Sequence, residues 1–266
     1  MLCVGLDSDI SVLERSAYFD DLLKSSLGVQ AAFNIAIVDA THDLVAAYKP
    51  NSAFYEARGA QGIAELRETI AYIRSVSPGT PVILDAKRAD IGNTNVGYVA
   101  YAFEYLQADA VTVHPYLGKE ALEPFLRCGN KGIFVLCRTS NPGAGEFQDV
   151  RSDRGDSVYE VVAQAVQEHW NERGNCGLVV GSTYTDELAR VRTLAPTLPI
   201  LVPGVGAQGG DLEQSVKVGS WVDGGGLFLN AARSVLFSAD TTAFAKAARA
   251  EALQLDGAIR RAVLRS

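Results

Sequence analysis

The sequence predicts a closed (β/α)8 barrel, an α/β fold of the TIM-barrel type, with residues 1–266 forming a single domain. Three observations carry this. Eight short apolar runs alternate with helical patterns over a length usual for such a barrel. The runs are continuously apolar, as strands buried on both faces must be. A polar or charged residue stands at the C-terminal end of nearly every run, where such a barrel gathers its active face. A doubly wound open sheet is the alternative, but the closed barrel accounts for all eight runs. No shift in composition marks a domain boundary.

The elements follow in order. Leu2–Leu6 reads as a strand ending at Asp7. Val29, Phe33, Ile37, Leu44 and Val45 keep near-helical spacing and predict one long amphipathic helix. Ala46-Ala47-Tyr48 is a short strand running into Lys49 and stopped by Pro50. Ile63, Leu66, Ile70 and Ile73 mark a helix closed by Ser77-Pro78-Gly79. Val82-Ile83-Leu84 opens a third strand, and Asn93–Leu106 a third helix. Ala110–Val113 is a strand ending at His114, Ala121–Leu126 a short helix, and Gly132–Cys137 a strand ending at Arg138-Thr139-Ser140. Residues 142–156, rich in Gly, Asp and Arg, predict a mobile surface loop. Val158–Trp170 is helical. Strands at Gly177–Val180, Pro199–Val202 and Leu227–Leu229 end at Ser182, Gly204 and Asn230-Ala231-Ala232-Arg233. Helices at Glu187–Leu194, Leu212–Val218 and Thr242–Val263 complete the alternation.

Composition excludes several function classes. A net charge of −7 and a pI near 5.1 argue against a nucleic-acid surface. No apolar stretch approaches transmembrane length, and the N-terminus carries no basic leader, so a soluble cytoplasmic protein is expected. Cys3, Cys128, Cys137 and Cys176 form no C-x-x-C pair and read as free thiols, three of them in or beside strands. No His or Cys cluster suggests zinc. His114 at a strand end is a candidate general base, with a structural role as the plainer reading.

Two stretches concentrate the chemistry. In Pro81-Val-Ile-Leu-Asp85-Ala-Lys87-Arg88-Ala-Asp90-Ile91, charge appears abruptly after a buried strand. Residues two apart share a strand face, so Ile83, Asp85 and Lys87 point together. Desolvated charges are costly unless paired, and such clusters are often functional, although an ion pair merely capping the strand is the alternative. Asp85 and Asp90 could in principle hold magnesium, but Lys87 between them supplies a competing internal cation that makes a metal less necessary. In Pro203-Gly-Val-Gly-Ala-Gln208-Gly-Gly-Asp211, glycines free backbone N–H groups beside a helix N-terminus. The run contains G-x-G-x-x-G, yet it follows the seventh strand, where barrels hold phosphate, rather than the first, where dinucleotide folds do. Arg233 after the eighth strand can add a guanidinium fork to the same phosphate.

Together, Lys49, the Asp85–Ile91 stretch, Pro203–Gly210 and Arg233 resemble the orotidine 5′-phosphate decarboxylase family. The wording Leu136-Cys-Arg-Thr-Ser-Asn-Pro-Gly143 is similar to its longer bacterial branch. The resemblance runs from about Leu2 to the final helix. It implies decarboxylation of orotidine 5′-phosphate to UMP with no cofactor and no metal. It places Asp7 and Lys49 on the ribose hydroxyls, with Lys49 also joining the catalytic charge array, Asp85 against the substrate carboxylate, and Lys87 as proton donor. Asp90, with Ile91 and Thr94, would cross a homodimer interface into the partner's site. Thr139 and Ser140 lie where the family reads the pyrimidine, without a choice between them. Pro203, Gln208 and Arg233 would line and grip the phosphate end. Ala232 replaces the glycine some relatives carry there. The nearest rivals resemble 3-keto-gulonate 6-phosphate decarboxylase and hexulose phosphate synthase, which share D-x-K-x-x-D but work with magnesium and an enediolate. Lys49 stands where an acidic residue would be expected for those. A non-catalytic phosphate-ligand sensor on the same barrel is the remaining alternative.

Overall fold

The structure is a computed structural model and describes residues 1–205 and 211–265. Its strands are β1 (Leu2–Gly5), β2 (Ala47–Lys49), β3 (Ile83–Arg88), β4 (Ala110–Val113), β5 (Gly132–Arg138), β6 (Cys176–Val180), β7 (Ile200–Pro203) and β8 (Leu227–Ala231). All pair in parallel, in the order β2-β1-β8-β7-β6-β5-β4-β3. Two parallel bridges, Tyr48 with Val82 and Asn51 with Asp85, join β2 to β3 and close the ring. The predicted (β/α)8 TIM barrel is therefore the fold. Helices follow the strands in alternation, from Val29–Thr41 and Gly59–Val76 to the closing Phe244–Val263. None of the helices among the described residues is long and apolar enough to cross a membrane.

The two faces of each strand do different work. Leu2, Val4, Tyr48, Val82, Leu84, Val111 and Val113 point outward into the main core beneath the helices. Cys3, Ala47, Ile83, Ala110, Phe134, Val179 and Leu201 fill the barrel interior with Leu136 and Phe228. Phe134 and Phe228 meet edge to face with centroids 5.8 Å apart. Gly177 makes room for them, since a Cβ there would fall 2.7 Å from the Phe134 ring. Stepping two residues along three neighbouring strands turns this apolar layer into a polar one: Ala47 to Lys49, Ile83 to Asp85, Ala110 to Thr112. The apolar plug thus forms the floor of a charged mouth.

Three expectations change. The helix expected on Val29 to Val45 is one helix, Val29–Thr41, that stops before Leu44 and Val45, and two short helices not foreseen, Ile10–Leu13 and Phe19–Leu23, precede it. The expected helices at Asn93–Leu106 and Val158–Trp170 each widen into a π-helical second half, Ala100–Tyr105 and Val166–Trp170. Residues 142–156 are not a plain loop: Pro142–Ala144 form a 3₁₀ turn and Gly145–Gln148 a helical turn. The buried Arg138 anchors that turn through Gln148 and Asp149, which composition alone does not reveal.

Candidate active site

At the mouth, β1, β2 and β3 bring Asp7, Lys49, Asp85 and Lys87 together. Lys49 Nζ donates to Asp85 Oδ2 at 3.0 Å and stands 3.8 Å from Asp7 Oδ1. Lys87 Nζ donates to the other oxygen of Asp85 at 2.7 Å. Asp85 thus lies between two ammonium groups of unlike exposure: the Lys49 side chain is 3% exposed and that of Lys87 48%. Burial opposes charge on Lys49, but Asp7 and Asp85 outweigh it and hold the ammonium above its ordinary range. Burial likewise opposes charge on Asp85, and Lys49 and then Lys87 outweigh it, holding the carboxyl below the usual carboxylate range. For Asp7 burial wins and pushes the carboxyl up, against the pull of Lys49. Its Oδ1 is buried without a hydrogen-bond partner among the described residues.

The end of β3 is deformed to build this. Lys87 has φ +47°, a left-handed conformation that costs a side-chain-bearing residue about 1–2 kcal/mol. The β3–β4 register shifts between Leu84 and Arg88, four residues covering the two-residue step from Val111 to Val113. An excess of two preserves the alternation of faces. Thr112 locks the result. Its hydroxyl donates to Asp85 Oδ1 at 2.8 Å and accepts the Lys87 backbone N–H at 2.9 Å. Sequence reasoning passed over Thr112; the available signal was one hydroxyl inside the apolar run Ala110–Val113.

Two adjoining cavities open from the array. The larger, about 450 Å³, is lined by Lys49, Asp85, Lys87, Thr139, Ser140 and Gln148 among others, over an apolar floor of Leu136, Val179 and Leu201. The smaller, about 120 Å³, runs past Asp7, Pro203, Gly204, Asn230 and Arg233. Lys49, Asp85, Ser140 and Pro203 border both. The cleft thus has a charged centre over an apolar floor, with Arg233 at its far end.

A profile of the "Orotidine 5′-phosphate decarboxylase / HUMPS family" matches residues 1–248. The chain belongs to this family. It is 49% identical over 257 residues to the orotidine 5′-phosphate decarboxylase of Cellvibrio japonicus, covering 96% of this chain and 91% of that one. Identity to the same enzyme from Azoarcus sp. is 48% over 259 residues, covering 97% and 93%. Among solved structures, the OMP decarboxylase of Leishmania donovani superposes with a TM-score of 0.79 at 39% identity, covering 96% of this chain and 93% of that one.

In this member of the orotidine 5′-phosphate decarboxylase family, Asp90, Ile91 and Thr94 stand apart from the array. Among the described residues Asp90 has no ion-pair partner; one carboxylate oxygen accepts only the N–H of Ile91 at 2.6 Å. Asn95, buried and unremarked in the sequence, accepts the Asp90 N–H and donates to the Asp90 carbonyl. Ile91 is 61% exposed and Thr94 is exposed. His114 does not reach the array and lines a separate apolar cavity with Tyr116, Cys137 and Phe147. Arg233 begins the Arg233–Leu236 helical turn at the cationic end. Gln208 lies outside the described residues, with most of the glycine-rich run.

Proposed function

We propose that the chain decarboxylates orotidine 5′-phosphate to UMP with no cofactor. The observation that carries this is the Lys49–Asp85–Lys87 array, held by Thr112 above an apolar floor. Breaking the C6–CO2 bond leaves its electron pair in an in-plane orbital on C6, with no adjacent carbonyl to spread it. Lys87 is the half-exposed cation of the array. Its ammonium stabilises that charge and gives C6 a proton, and water reprotonates the amine afterwards. Preorganised charge of this kind is usually the largest catalytic contribution. Asp85 faces the departing carboxylate and Lys49 keeps Asp85 ionised. Asp7, with its unpartnered buried oxygen, accepts a ribose hydroxyl. Pro203, Arg233 and Gln208 take the phosphate, whose binding energy holds the substrate in place. Lys49 also supplies an internal cation between Asp7 and Asp85, which favours a reaction without a metal ion.

Between Thr139 and Ser140, hydrogen bonding favours Ser140 as the pyrimidine reader. The Thr139 hydroxyl donates to Asn141 and accepts from Gln148. Ser140 has no such partner among the described residues and borders both cavities.

We further propose a homodimer with shared sites. The carboxylate of Asp90, which has no ion-pair partner among the described residues, supports it, as do Ile91, Val96, Tyr116, Leu117 and Phe147, large apolar side chains left exposed. A cytoplasmic location fits four unpaired thiols. The test of the activity is the absorbance loss of orotidine 5′-phosphate, with and without a chelator. Equal turnover in both is expected. Loss of activity on chelation, restored by magnesium, would refute the metal-free reading, and no turnover at all would refute the decarboxylase.

A further inference from the structure

The β5–β6 register shifts by one residue, Leu136 facing Val179 but Arg138 facing Val180. A one-residue excess reverses the face. Leu136 therefore belongs to the barrel interior, while Arg138 lies with Val180 on the outer side. There the Arg138 guanidinium is buried, stacked 4.1 Å over the Tyr184 ring. Nη1 donates to Gln148 Oε1 at 3.3 Å and Nη2 to Asp149 Oδ2 at 3.2 Å.

Gln148 turns that anchorage toward the site. Its Oε1 also accepts the backbone N–H of Thr139 at 2.9 Å, and its Nε2 donates to Thr139 Oγ1 at 2.8 Å. Two donors converge on Oε1, so the amide has one orientation. Thr139 is gripped by backbone and side chain at once, and Ser140 follows it directly. Gln148 also forms part of the wall between the substrate-sized cavity and the apolar one beside it.

We infer that Gln148 is a positioning residue for base recognition: it fixes Thr139, and so Ser140, against the heterocycle, and Arg138 fixes Gln148. This rests on the decarboxylase reading, with Ser140 facing the base. The role is confined to one end of the ligand. Arg138, Gln148 and Thr139 line no part of the cavity of Asp7 and Arg233; only Ser140, the residue they hold, borders it.

The experiment compares wild type, Gln148→Ala and Gln148→Glu by inhibition constants for UMP and for ribose 5-phosphate, beside kcat/KM for orotidine 5′-phosphate. In Gln148→Ala the UMP constant is expected to rise about tenfold, as loss of two hydrogen bonds implies. The ribose 5-phosphate constant stays within about twofold, because that ligand has no base to misplace. Gln148→Glu keeps the acceptor for Thr139 N–H and Arg138 and falls between the two. Equal weakening of both ligands would show a merely structural role and overturn the inference, as would unchanged UMP binding. If wild type turns over its substrate while either of those results holds, only the Gln148 inference falls. If wild type has no turnover, the decarboxylase reading falls and takes this inference with it.

Discussion

Replacing Lys87 by alanine should separate chemistry from folding. An ammonium about 4 Å from a developing charge interacts by roughly 4 kcal/mol at an effective dielectric near 20. That dielectric suits a side chain 48% exposed at a cleft mouth. The loss amounts to about a thousandfold in rate. Removing the proton donor adds on the order of 10²–10⁴. Together kcat should fall by at least about 10⁵. The fold should survive. Lys87 is 48% exposed, so solvent screens the lost pair at its lysine end, and such a pair is worth about 1 kcal/mol or less. Asp85 keeps Lys49 at 3.0 Å and Thr112 at 2.8 Å. Alanine meets the same left-handed backbone cost that lysine does, so strain changes little. Substrate absorbance, a thermal melt and a UMP titration on one preparation make the measurement. Tm should stay within about 4 °C and UMP should still bind. A folded Lys87→Ala protein that turns over within tenfold of wild type would refute the proton-donor role.

Asp85→Asn acts in the opposite sense, because it leaves Lys49 buried with only Asp7 at 3.8 Å. A cost of about 3–5 kcal/mol is expected, read as a Tm lower by on the order of 10 °C; an unchanged Tm would contradict it. The pH dependence has a definite sign. The folded Asp85 carboxyl lies below its ordinary value of 3.8, so its stabilisation is complete above about pH 4 and is lost as pH falls further. The urea-midpoint gap between wild type and Asp85→Asn should be constant from pH 7 to 5 and narrow at pH 3; a gap that widens there would reverse the sign. Thr112→Val strands the Lys87 N–H and should cost about 1–3 kcal/mol together with kcat, whereas wild-type kcat would detach Thr112 from the site. Mixed Lys87→Ala and Asp90→Ala chains should regain about a quarter of wild-type activity, since half of randomly paired two-fold dimers carry one intact site. No recovery after verified subunit exchange would exclude sharing.

Much of the site was legible in sequence because its residues stand at strand ends. Alternation placed Asp85 and Lys87 on one face, and the order of strands put Lys49 near them. Thr112 was missed because a hydroxyl in an apolar strand is ordinarily unremarkable; its importance comes from a neighbouring strand 25 residues away in sequence from Lys87. Asn95 escaped for a similar reason. Residues 142–156 looked unstructured because glycine and charge dominate their composition, while the group that orders them, Arg138, belongs to β5. The two short helices between β1 and Val29 were missed because apolar spacing does not mark single helical turns.

By itself, then, the sequence determined the barrel, the order of its strands and the charged residues at their ends. Those properties follow from local periodicity and from which residues tolerate burial. Only the tertiary structure decided how the charges pair. Lys49 and Asp85 meet where β2 and β3 close the ring, and that contact depends on the register of every strand between them. It also decided that Gln148 holds Thr139, while Ser140 has no side-chain partner among the described residues, because a register slip of a single residue moved Arg138 to the outer face. Pairing and register are non-local quantities, set by packing around the whole barrel, and no window of sequence contains them.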